Sequence, residues 1–461
     1  SEIGNFSEFL QRIAAVLGEN TESEITAVWS AISNDPKAVG VLASSGHFCL
    51  AEVLARKLDI CCAAVFFSPF NPTAEFPPYM IDTRNPKTWQ ELPAPDGTFP
   101  YQEMQEPPAE AYRDLWMGLL TNLCTMWIAV LKGTSECCDA AELVPKDDDK
   151  ILRMLLSLMA PDEVPVEEEE MRVRAEKLLL LSPSVINGAQ DVSEAERDKM
   201  LGFVYDICDP KYGGAAMSPF DEKMERFLEA GEEPVYLGWG SMCRLHNEEV
   251  CRAAVEACMI AGKRGVILGG WAQLSLDMLD PDKDAELIEY AKEKILFTKK
   301  ANHILLFPRC CCVVTHGGAG TSAATFRSGK PGIITPVWWD QNFFGDRFEA
   351  IGNGLRGPHF GKLNGPELAE LITKVTTDPS YTEAAIKIRD EILSKDFGDV
   401  MAADRMHARI EAKKTERKDK APAAAVEPPL PPKDWMLRRA SSFRNSSGEY
   451  CLERVPSGRL G

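Results

Sequence analysis

The sequence predicts an α/β protein with parallel sheets, of which the one in the second half is doubly wound, and a disordered C-terminal tail. In the first half, a strand at Val39–Ala43, a helix at Cys49–Leu58 and a strand at Ile60–Phe67 form a unit typical of parallel sheets. Between Pro234 and Ile334, short apolar strands again alternate with helices. From Lys413 onward, the chain is rich in Lys, Pro, Ala and Ser and has little apolar periodicity, which predicts disorder.

We therefore expect a first domain over residues 1–218, a second domain over residues 219–412 and a basic tail over residues 413–461. A Gly- and Pro-rich break at Pro210–Pro219 is the predicted linker.

The composition indicates a soluble globular protein and argues against nucleic-acid binding. The chain has 461 residues, of which 45% are hydrophobic and 26% charged, with a net charge of -19. Residues 412–461 hold 11 Lys and Arg against 6 Asp and Glu, so residues 1–411 carry -24. Such an acidic body repels a phosphate backbone.

The 14 cysteines show no paired CxxC spacing of the kind that holds zinc. We interpret most of them as small buried residues in a reducing compartment, which predicts a cytoplasmic protein. The apolar run Leu115–Leu131 is 17 residues long and includes Thr121 and Asn122, which favours a buried or groove helix over a membrane span.

The other elements follow from the same patterns. In the first half we predict helices at Phe6–Leu17, Ile25–Ile32 and Ile151–Leu158, and strands at Leu178–Ile186 and Met200–Ile207. In the second half we predict strands at Pro234–Ser241, Val266–Leu268 and Lys294–Phe297, and helices at Pro219–Ala230, Glu248–Ala261, Pro366–Thr376, Tyr381–Leu393 and Val400–Ala412.

The pattern Asp147-x-Asp149 could hold a divalent metal on a diphosphate. Flanking lysines and the absence of a preceding strand favour a solvated loop instead.

The stretch from Cys310 to Arg347 has the pattern of an anion site. The run Val313–Thr315 is a buried strand, His316 lies at its carboxyl end, and a glycine turn leads into a helix at Thr321–Arg327. Free N–H groups at a helix N-terminus attract anions, and glycines let a phosphate approach the main chain. A second strand, Gly332–Pro336, is followed by Trp338, Trp339, Asp340 and Gln341, which gives the site a polar pair.

Four blocks in order resemble the sterol 3β-glucosyltransferase branch of the family 1 glycosyltransferases. They read SPFNPTAEFPP, PVYLGWGSM, ANHILLFPRC and THGGAGTSAATFRSGKPGIITPVWWDQNFFGDR. The resemblance implies the GT-B fold, with two Rossmann-like domains. It also implies a metal-independent enzyme that needs no cofactor and uses a UDP-sugar as co-substrate.

The resemblance assigns donor-site roles to individual residues. It implies that His316, Gly317, Gly318, Gly320, Thr321 and Ser241 meet the diphosphate, and that Asp340 and Gln341 bind the sugar hydroxyls. Main chain near Phe297–His303 would border the uracil, which includes His303 in the site. Trp338 is a further candidate, as a stacking surface or as a core aromatic.

The chain departs from the family pattern at several positions. Thr315 stands where relatives often have a second His, and Trp339 where they often have Gly, which would add bulk beside the sugar pocket. Compared with the family, the first strands of the N-terminal domain and their acceptor-activating residue are expected to be absent. His47 is a weak candidate for the base, more typical of a loop or helix-start residue. We expect no partner for His246, His359 and His407, and interpret them as surface residues.

The resulting hypothesis is inverting transfer of a hexose, most simply glucose, from a UDP-sugar to the hydroxyl of a sterol or similar apolar lipid. Peripheral association with a membrane is compatible with such an acceptor. An inactive UDP-sugar-binding module with a regulatory tail is the main alternative. A nucleotide-sugar epimerase is disfavoured, because we find no counterpart of its catalytic carboxylates.

Overall fold

The computed structural model describes residues 40–44, 47–69, 71–90, 111–137, 140–166, 173–186, 191–203, 220–240, 247–270, 273–395 and 398–419, with a few residues of 101–107 and of the tail. The chain forms two compact units. The first comprises residues 1–65, 119–177 and 404–461, and the second comprises residues 66–118 and 178–403. The predicted boundary at 218/219 and the linker Pro210–Pro219 lie outside the described residues, as do the predicted helices Phe6–Leu17 and Ile25–Ile32.

The first unit contains a parallel sheet with the strand order β1-β2-β3 among the described residues. Its strands are β1 (Gly40–Ser44), most of β2 (Cys61–Phe66) and most of β3 (Ala175–Leu179), and its helices include α1 (Phe48–Leu58), most of α2 (Tyr112–Cys137) and α3 (Asp148–Met159). Gly40 pairs with Cys61 in the β1–β2 register. Every residue of β2 is buried, as expected for a central strand covered on both faces.

Helix α2 contains the apolar run Leu115–Leu131, for which the sequence favours a buried or groove helix over a membrane span. Over Tyr112–Glu136 it is long and apolar enough to cross a membrane by length and composition. Its apolar side chains nevertheless pack into the protein. Within the first unit, Leu123 and Leu131 are buried and the ring of Trp127 lies 4.7 Å from that of Phe48. The described structure therefore supports the buried-helix prediction.

The second unit contains a six-stranded parallel sheet with the order β6-β5-β4-β7-β8-β9. The strands are β4 (Val235–Gly238), β5 (Gly265–Leu268), β6 (Ile295–Thr298), β7 (Cys312–Thr315), β8 (Gly332–Ile334) and β9 (Gly354–Arg356). The helices are α4 (Pro183–Ile186), α5 (Glu194–Arg197), α6 (Glu222–Glu229), α7 (Asn247–Ile260), α8 (Ala285–Lys294), α9 (His303–Leu306), α10 (Ala319–Ser328), α11 (Gln341–Ile351), α12 (Gly365–Thr377) and α13 (Pro379–Lys395). Helix α14 (Gly398–Asp419) continues from this unit into residues of the first.

The core of the second unit lies on both faces of this sheet, because successive strand residues point to opposite sides. Val235 and Leu237 of β4 belong to one hydrophobic cluster with α7 and α12. Tyr236, between them, belongs to a second cluster with Phe307 and Met224. This alternation fixes the register of β4, whose carboxyl end contributes to the site described below.

Most of the described cysteines are buried, as the sequence predicted. Cys49, Cys62 and Cys124 are buried in the first unit, and Cys251 and Cys258 in the second. They are free thiols in the structure and fill the core as small apolar residues. Cys311 is only partly buried.

Two predicted elements need correction. The expected strand Leu178–Ile186 is instead the end of β3 followed by the short helix α4, because Pro183 begins a helical turn. Helix α14 extends past Lys413 to Asp419, so the predicted tail begins later than expected. Within that tail, Phe443–Arg444 pairs with Tyr450–Cys451, and its other residues lie outside those described.

Candidate functional site

The carboxyl ends of β4, β7 and β8 form one edge of the sheet of the second unit. From β4 the chain moves outward to β5 and β6, then returns to β7 on the other side of β4. The sheet therefore has its topological switch point between β4 and β7. Open α/β sheets bind ligands in the crevice at such a point.

Hydrogen bonds between side chains and main chain hold these strand ends together. The indole Nε1 of Trp239 donates to Thr335 Oγ1 over 2.7 Å, and both groups are buried. The main-chain N–H of Thr335 donates to the carbonyl of Thr315 over 2.9 Å. The ends of β4, β7 and β8 therefore form a rigid floor for the site. Trp239 is thus a core residue.

His316 follows β7 and lies between two glycines. A Cβ atom built on Gly240 would stand 3.3 Å from His316 Cε1, and one built on Gly318 would stand 2.6 Å from Nε2. The other ring nitrogen, Nδ1, is 3.3 Å from Thr315 Oγ1. Burial, and secondarily the nearby His303, lowers the pKa of His316 to about 4. The imidazole is therefore neutral at pH 7.

Helix α10 begins beside this ring. Gly318 is its N-cap residue, and the first intrahelical bond runs from the N–H of Ser322 to the carbonyl of Gly318. The preceding N–H groups of Ala319, Gly320 and Thr321 have no partner within the helix and point out of its end. This end of the helix carries the partial positive charge of its dipole.

Gly317 is required by the fold at this turn. Its φ is +86°, which side chains rarely adopt, and a Cβ would stand 2.5 Å from Ile334 Cγ2. The turn can therefore bring the N-terminus of α10 close to β8 only with glycine at this position.

His303 is the first residue of α9, and its side chain is packed within the protein. Its Nε2 is 3.0 Å from Tyr236 Oη, and its ring stacks on Phe307 with centroids 4.6 Å apart. Burial lowers its pKa to about 4. The imidazole thus supports the end of β4, and contact between main chain near His303 and a base stays a prediction.

Residues 335–340, here called the tryptophan loop, connect β8 to α11. The carboxamide oxygen of Gln341 accepts hydrogen bonds from the main-chain N–H groups of Val337 (2.8 Å) and Trp338 (3.3 Å). Gln341 is buried, so its oxygen shapes the loop and only its NH₂ group can donate to a ligand. The predicted sugar contact of Gln341 is thereby limited to donation.

His359 also holds this loop. It is exposed, as predicted, but it has hydrogen-bond partners, which corrects the expectation that it has none. The N–H of Gly361 donates to His359 Nδ1 over 3.1 Å, so Nε2 carries the proton and donates to the Val337 carbonyl over 2.7 Å. His407 is exposed on α14, and His246 lies outside the described residues.

The two tryptophans precede a half-buried carboxyl group. The rings of Trp338 and Trp339 meet edge to face at 5.5 Å, and Trp339 has a φ of +61°. Asp340 is the N-cap residue of α11 but makes no side-chain capping bond. Burial raises the pKa of Asp340 to about 7. A carboxyl group this poorly solvated gains from hydrogen-bond donors such as sugar hydroxyls.

The remaining candidates lie apart from this edge or outside the description. Ser241 directly follows Gly240 but is not among the described residues. His47 is exposed at the carboxyl end of β1, with its Nδ1 3.0 Å from Ser44 Oγ. The structure does not test it as a base.

The Asp147-x-Asp149 metal hypothesis is not supported. Asp147 is the N-cap of α3, and its carboxylate accepts from the N–H of Lys150 over 3.0 Å. The residues that the structure describes contain no cluster of three or more His, Cys, Asp or Glu suited to a metal ion.

Sequence reasoning missed the roles of Thr315, Thr335 and His359. Thr315 is the last residue of β7, and Thr335 directly follows the adjacent strand β8. Their positions at the carboxyl ends of these strands could have marked them as site residues. The contact of His359 with the tryptophan loop depends on a turn after β9, which no sequence pattern predicts.

Comparisons with known proteins show what parts of the chain are similar to. Residues 297–404 match the family described as erythromycin biosynthesis protein CIII-like, C-terminal domain. A sterol 3-beta-glucosyltransferase of Cryptococcus neoformans is 31% identical over 241 residues, which cover 51% of this chain and 15% of that protein. Sterol 3-beta-glucosyltransferase UGT80A2 of Arabidopsis thaliana is 36% identical over 132 residues, which cover 29% and 19%.

The matched segments are therefore similar to sterol 3-beta-glucosyltransferases and to the C-terminal domain of a glycosyltransferase family. The chain spans less than a fifth of the length of these curated relatives. The match to residues 297–404 includes His316, the glycine turn and the tryptophan loop.

The solved structures that resemble this chain have the GT-B fold, which confirms the predicted fold class. A UDP-glucose:anthocyanidin 3-O-glucosyltransferase in complex with UDP superposes with a TM-score of 0.53 at 14% identity, covering 90% of this chain and 84% of the other. Glycosyltransferase VinC in complex with dTDP gives 0.50 at 16% identity, covering 88% and 79%.

Proposed function

We propose that the edge formed by β4, β7 and β8 binds a UDP-sugar and that the protein transfers its sugar to an acceptor hydroxyl. The observation that carries this proposal is the meeting of His316 with the open N-terminus of α10 at the switch point of the sheet. A diphosphate is the ligand that suits these donors.

The residues of the site can each perform a step of such a transfer. The N–H groups of Ala319, Gly320 and Thr321 and the dipole of α10 would stabilise the charge that develops on the leaving UDP. The neutral His316 would donate to a phosphate oxygen. These donors perform the role that a divalent ion has in other transferases, so the proposed reaction is metal-independent.

Asp340 and Gln341 would orient the sugar. The Asp340 carboxylate would accept from hydroxyls, and the Gln341 NH₂ would donate, because its oxygen is bound by the main chain. A sugar held this way exposes its anomeric carbon for in-line attack, which inverts the configuration. Glucose is the proposed hexose, since the relatives from Cryptococcus and Arabidopsis are named glucosyltransferases.

The proposed acceptor is the hydroxyl of a sterol or a similar apolar lipid, as the same names suggest. Such an acceptor would bring a cytoplasmic protein to a membrane surface. The base that removes the acceptor proton is unassigned among the described residues, and His47 stays a hypothesis.

An isothermal titration with UDP tests the donor site. His316→Ala is expected to weaken UDP binding about tenfold, since it removes one hydrogen bond to a charged group. His407→Ala, at an exposed position of α14, is the matched control and should bind like wild type. Equal UDP affinity of both variants and wild type would contradict the assignment.

A transfer assay separates the enzyme from the inactive binding module. Radiolabelled UDP-glucose and a sterol are given to the protein in its full natural length, and the lipid product is extracted. Labelled sterol glucoside supports the transferase. UDP binding without product favours the binding module, for which the strained backbone of Trp339 beside Asp340 is the supporting observation.

A further inference from the structure

A segment from the amino-terminal half of the chain packs against the tryptophan loop and α11. Residues 71–89 belong to the same compact unit as the six-stranded sheet. The ring of Tyr79 meets that of Trp339 edge to face, with centroids 6.1 Å apart, and the ring of Phe76 lies 5.6 Å from that of Phe343. Tyr79 and Phe76 are both buried.

Charged groups fix this segment in place. The guanidinium of Arg356, on β9, is almost fully buried and bonds the carboxylate of Asp82, within the segment. The same guanidinium donates to Asp346 over 2.6 Å and to Asn342 over 2.9 Å, both on α11. Nearby, Arg84 pairs with Glu349 over 2.6 Å. The segment is therefore bonded to α11, the helix whose N-cap residue is Asp340.

The backbone of Trp339 needs such support. Its φ of +61° lies in the left-handed region, which is unfavourable for a residue with a bulky side chain. Strain of this kind persists where the surroundings hold it. Among the described residues, the rings of Trp338 at 5.5 Å and Tyr79 at 6.1 Å contact the ring of Trp339. Tyr79 comes from outside the loop.

We propose that Tyr79 is a positioning residue for sugar recognition, which packs on Trp339 and thereby fixes Asp340 where it meets the sugar hydroxyls. This inference rests on the proposed function. It predicts that a residue far from the nucleotide sets the affinity for the sugar and leaves the affinity for the diphosphate unchanged.

The test compares the dissociation constants for UDP and UDP-glucose, measured by calorimetry. Wild type should bind UDP-glucose more tightly than UDP. Tyr79→Leu is expected to lower that ratio about threefold to tenfold, the range of an aromatic pair contact, while UDP affinity stays within about twofold. Tyr79→Phe retains the ring and should retain the ratio.

Phe76→Leu is the matched control. It removes a buried ring from the same segment, but that ring contacts Phe343 on α11 and not the tryptophan loop. The ratio should therefore stay at its wild-type value.

Trp339→Gly provides a second variant if Tyr79→Leu does not fold. Glycine suits the left-handed backbone, so the fold is favoured while the aromatic contact is lost. The same loss of the ratio is expected. An unchanged ratio in the folded variants, or an equal loss of UDP and UDP-glucose affinity, would overturn the inference. Equal wild-type affinity for the two ligands would also overturn it, and wild type that fails to bind UDP would instead refute the proposed function.

Discussion

The imidazole of His316 can donate from only one nitrogen, because its low pKa keeps the ring neutral at pH 7. Nε2 faces Gly318 at the start of α10, and Nδ1 faces the hydroxyl of Thr315. A proton on Nε2 is the tautomer that attracts an anion there. The Thr315 hydroxyl selects this tautomer when it donates to Nδ1, a role that the sequence pattern did not suggest.

Thr315→Val should weaken UDP binding about threefold to tenfold, since one neutral hydrogen bond contributes about 0.5–1.5 kcal/mol. Valine keeps the branched shape that the buried strand requires. Thr315→Ser retains the hydroxyl and should bind UDP like wild type in calorimetry. Wild-type affinity of the valine variant would show that Thr315 does not select the tautomer.

If Asp340 binds the sugar as proposed, its raised pKa predicts that sugar recognition depends on pH. Its pKa of about 7 means that the carboxyl group is protonated in the folded protein below neutrality and ionised above it. We expect the preference for UDP-glucose over UDP to rise between pH 6 and pH 8, because the carboxylate is the stronger acceptor. Asp340→Asn should abolish this pH dependence, and a preference that is flat from pH 6 to 8 in wild type would contradict the assignment.

The same group predicts a change in stability. The folded-state pKa of Asp340 lies above the unfolded value near 3.8, so the folded protein binds the proton more tightly. Its contribution to stability is therefore lost as pH rises from about 4 to about 7. Asp340→Asn should raise the melting temperature at pH 8, and the gain should shrink as the pH falls toward 5. An equal gain at both pH values would indicate a different cause.

At the scale of single elements, the strand-turn-helix of the site could be predicted from sequence. The β-branched run of β7, His316 and the glycine turn are local signals, and the structure has all of them in place. Helices α8 and α11 and strand β9 were missed. Strand β9 has only three residues, the first of them a glycine, too few to show alternation. The contacts of Tyr79 with Trp339 and of Asp82 with Arg356 join distant segments, which one sequence cannot reveal.

The close contact of Gly318 with His316 gives an element-level prediction. Gly318→Ala would place a Cβ 2.6 Å from Nε2, so the ring must move away from the start of α10. UDP affinity should fall about tenfold or more, as with removal of His316 itself. Gly133→Ala, in open space on the exposed face of α2, is the control. It should leave UDP affinity unchanged and stabilise its helix by about 0.5–1 kcal/mol.

At the scale of the whole molecule, neither compact unit is continuous in sequence. The chain passes between the units after residues 65, 118, 177 and 403. The composition along the sequence can indicate linkers. It cannot show that residues 66–118 belong to the same unit as the edge formed by β4, β7 and β8. A fragment of residues 219–412 would lack Asp82 and leave the buried Arg356 without one of its carboxylates.

The contribution of the buried Arg356 ion pairs to the free energy of unfolding can be measured with a matched pair of substitutions. Arg356→Met keeps the volume but leaves Asp82 and Asp346 without their buried cation, and should cost about 3–5 kcal/mol of unfolding free energy. Arg84→Met removes an ion pair that is largely exposed, and should cost less than about 1 kcal/mol. Urea denaturation of both variants gives the comparison, and similar losses would show that the buried network adds little.

The buried cysteines can report the local unfolding of each unit. Burial raises the thiol pKa of Cys124 in the first unit and of Cys258 in the second, so neither reacts as a thiolate while its unit stays folded. An alkylating reagent can reach each thiol only when the surrounding core opens. Mass spectrometry of timed alkylation would then give a separate opening rate for each unit, and UDP should slow labelling of Cys258 more than that of Cys124.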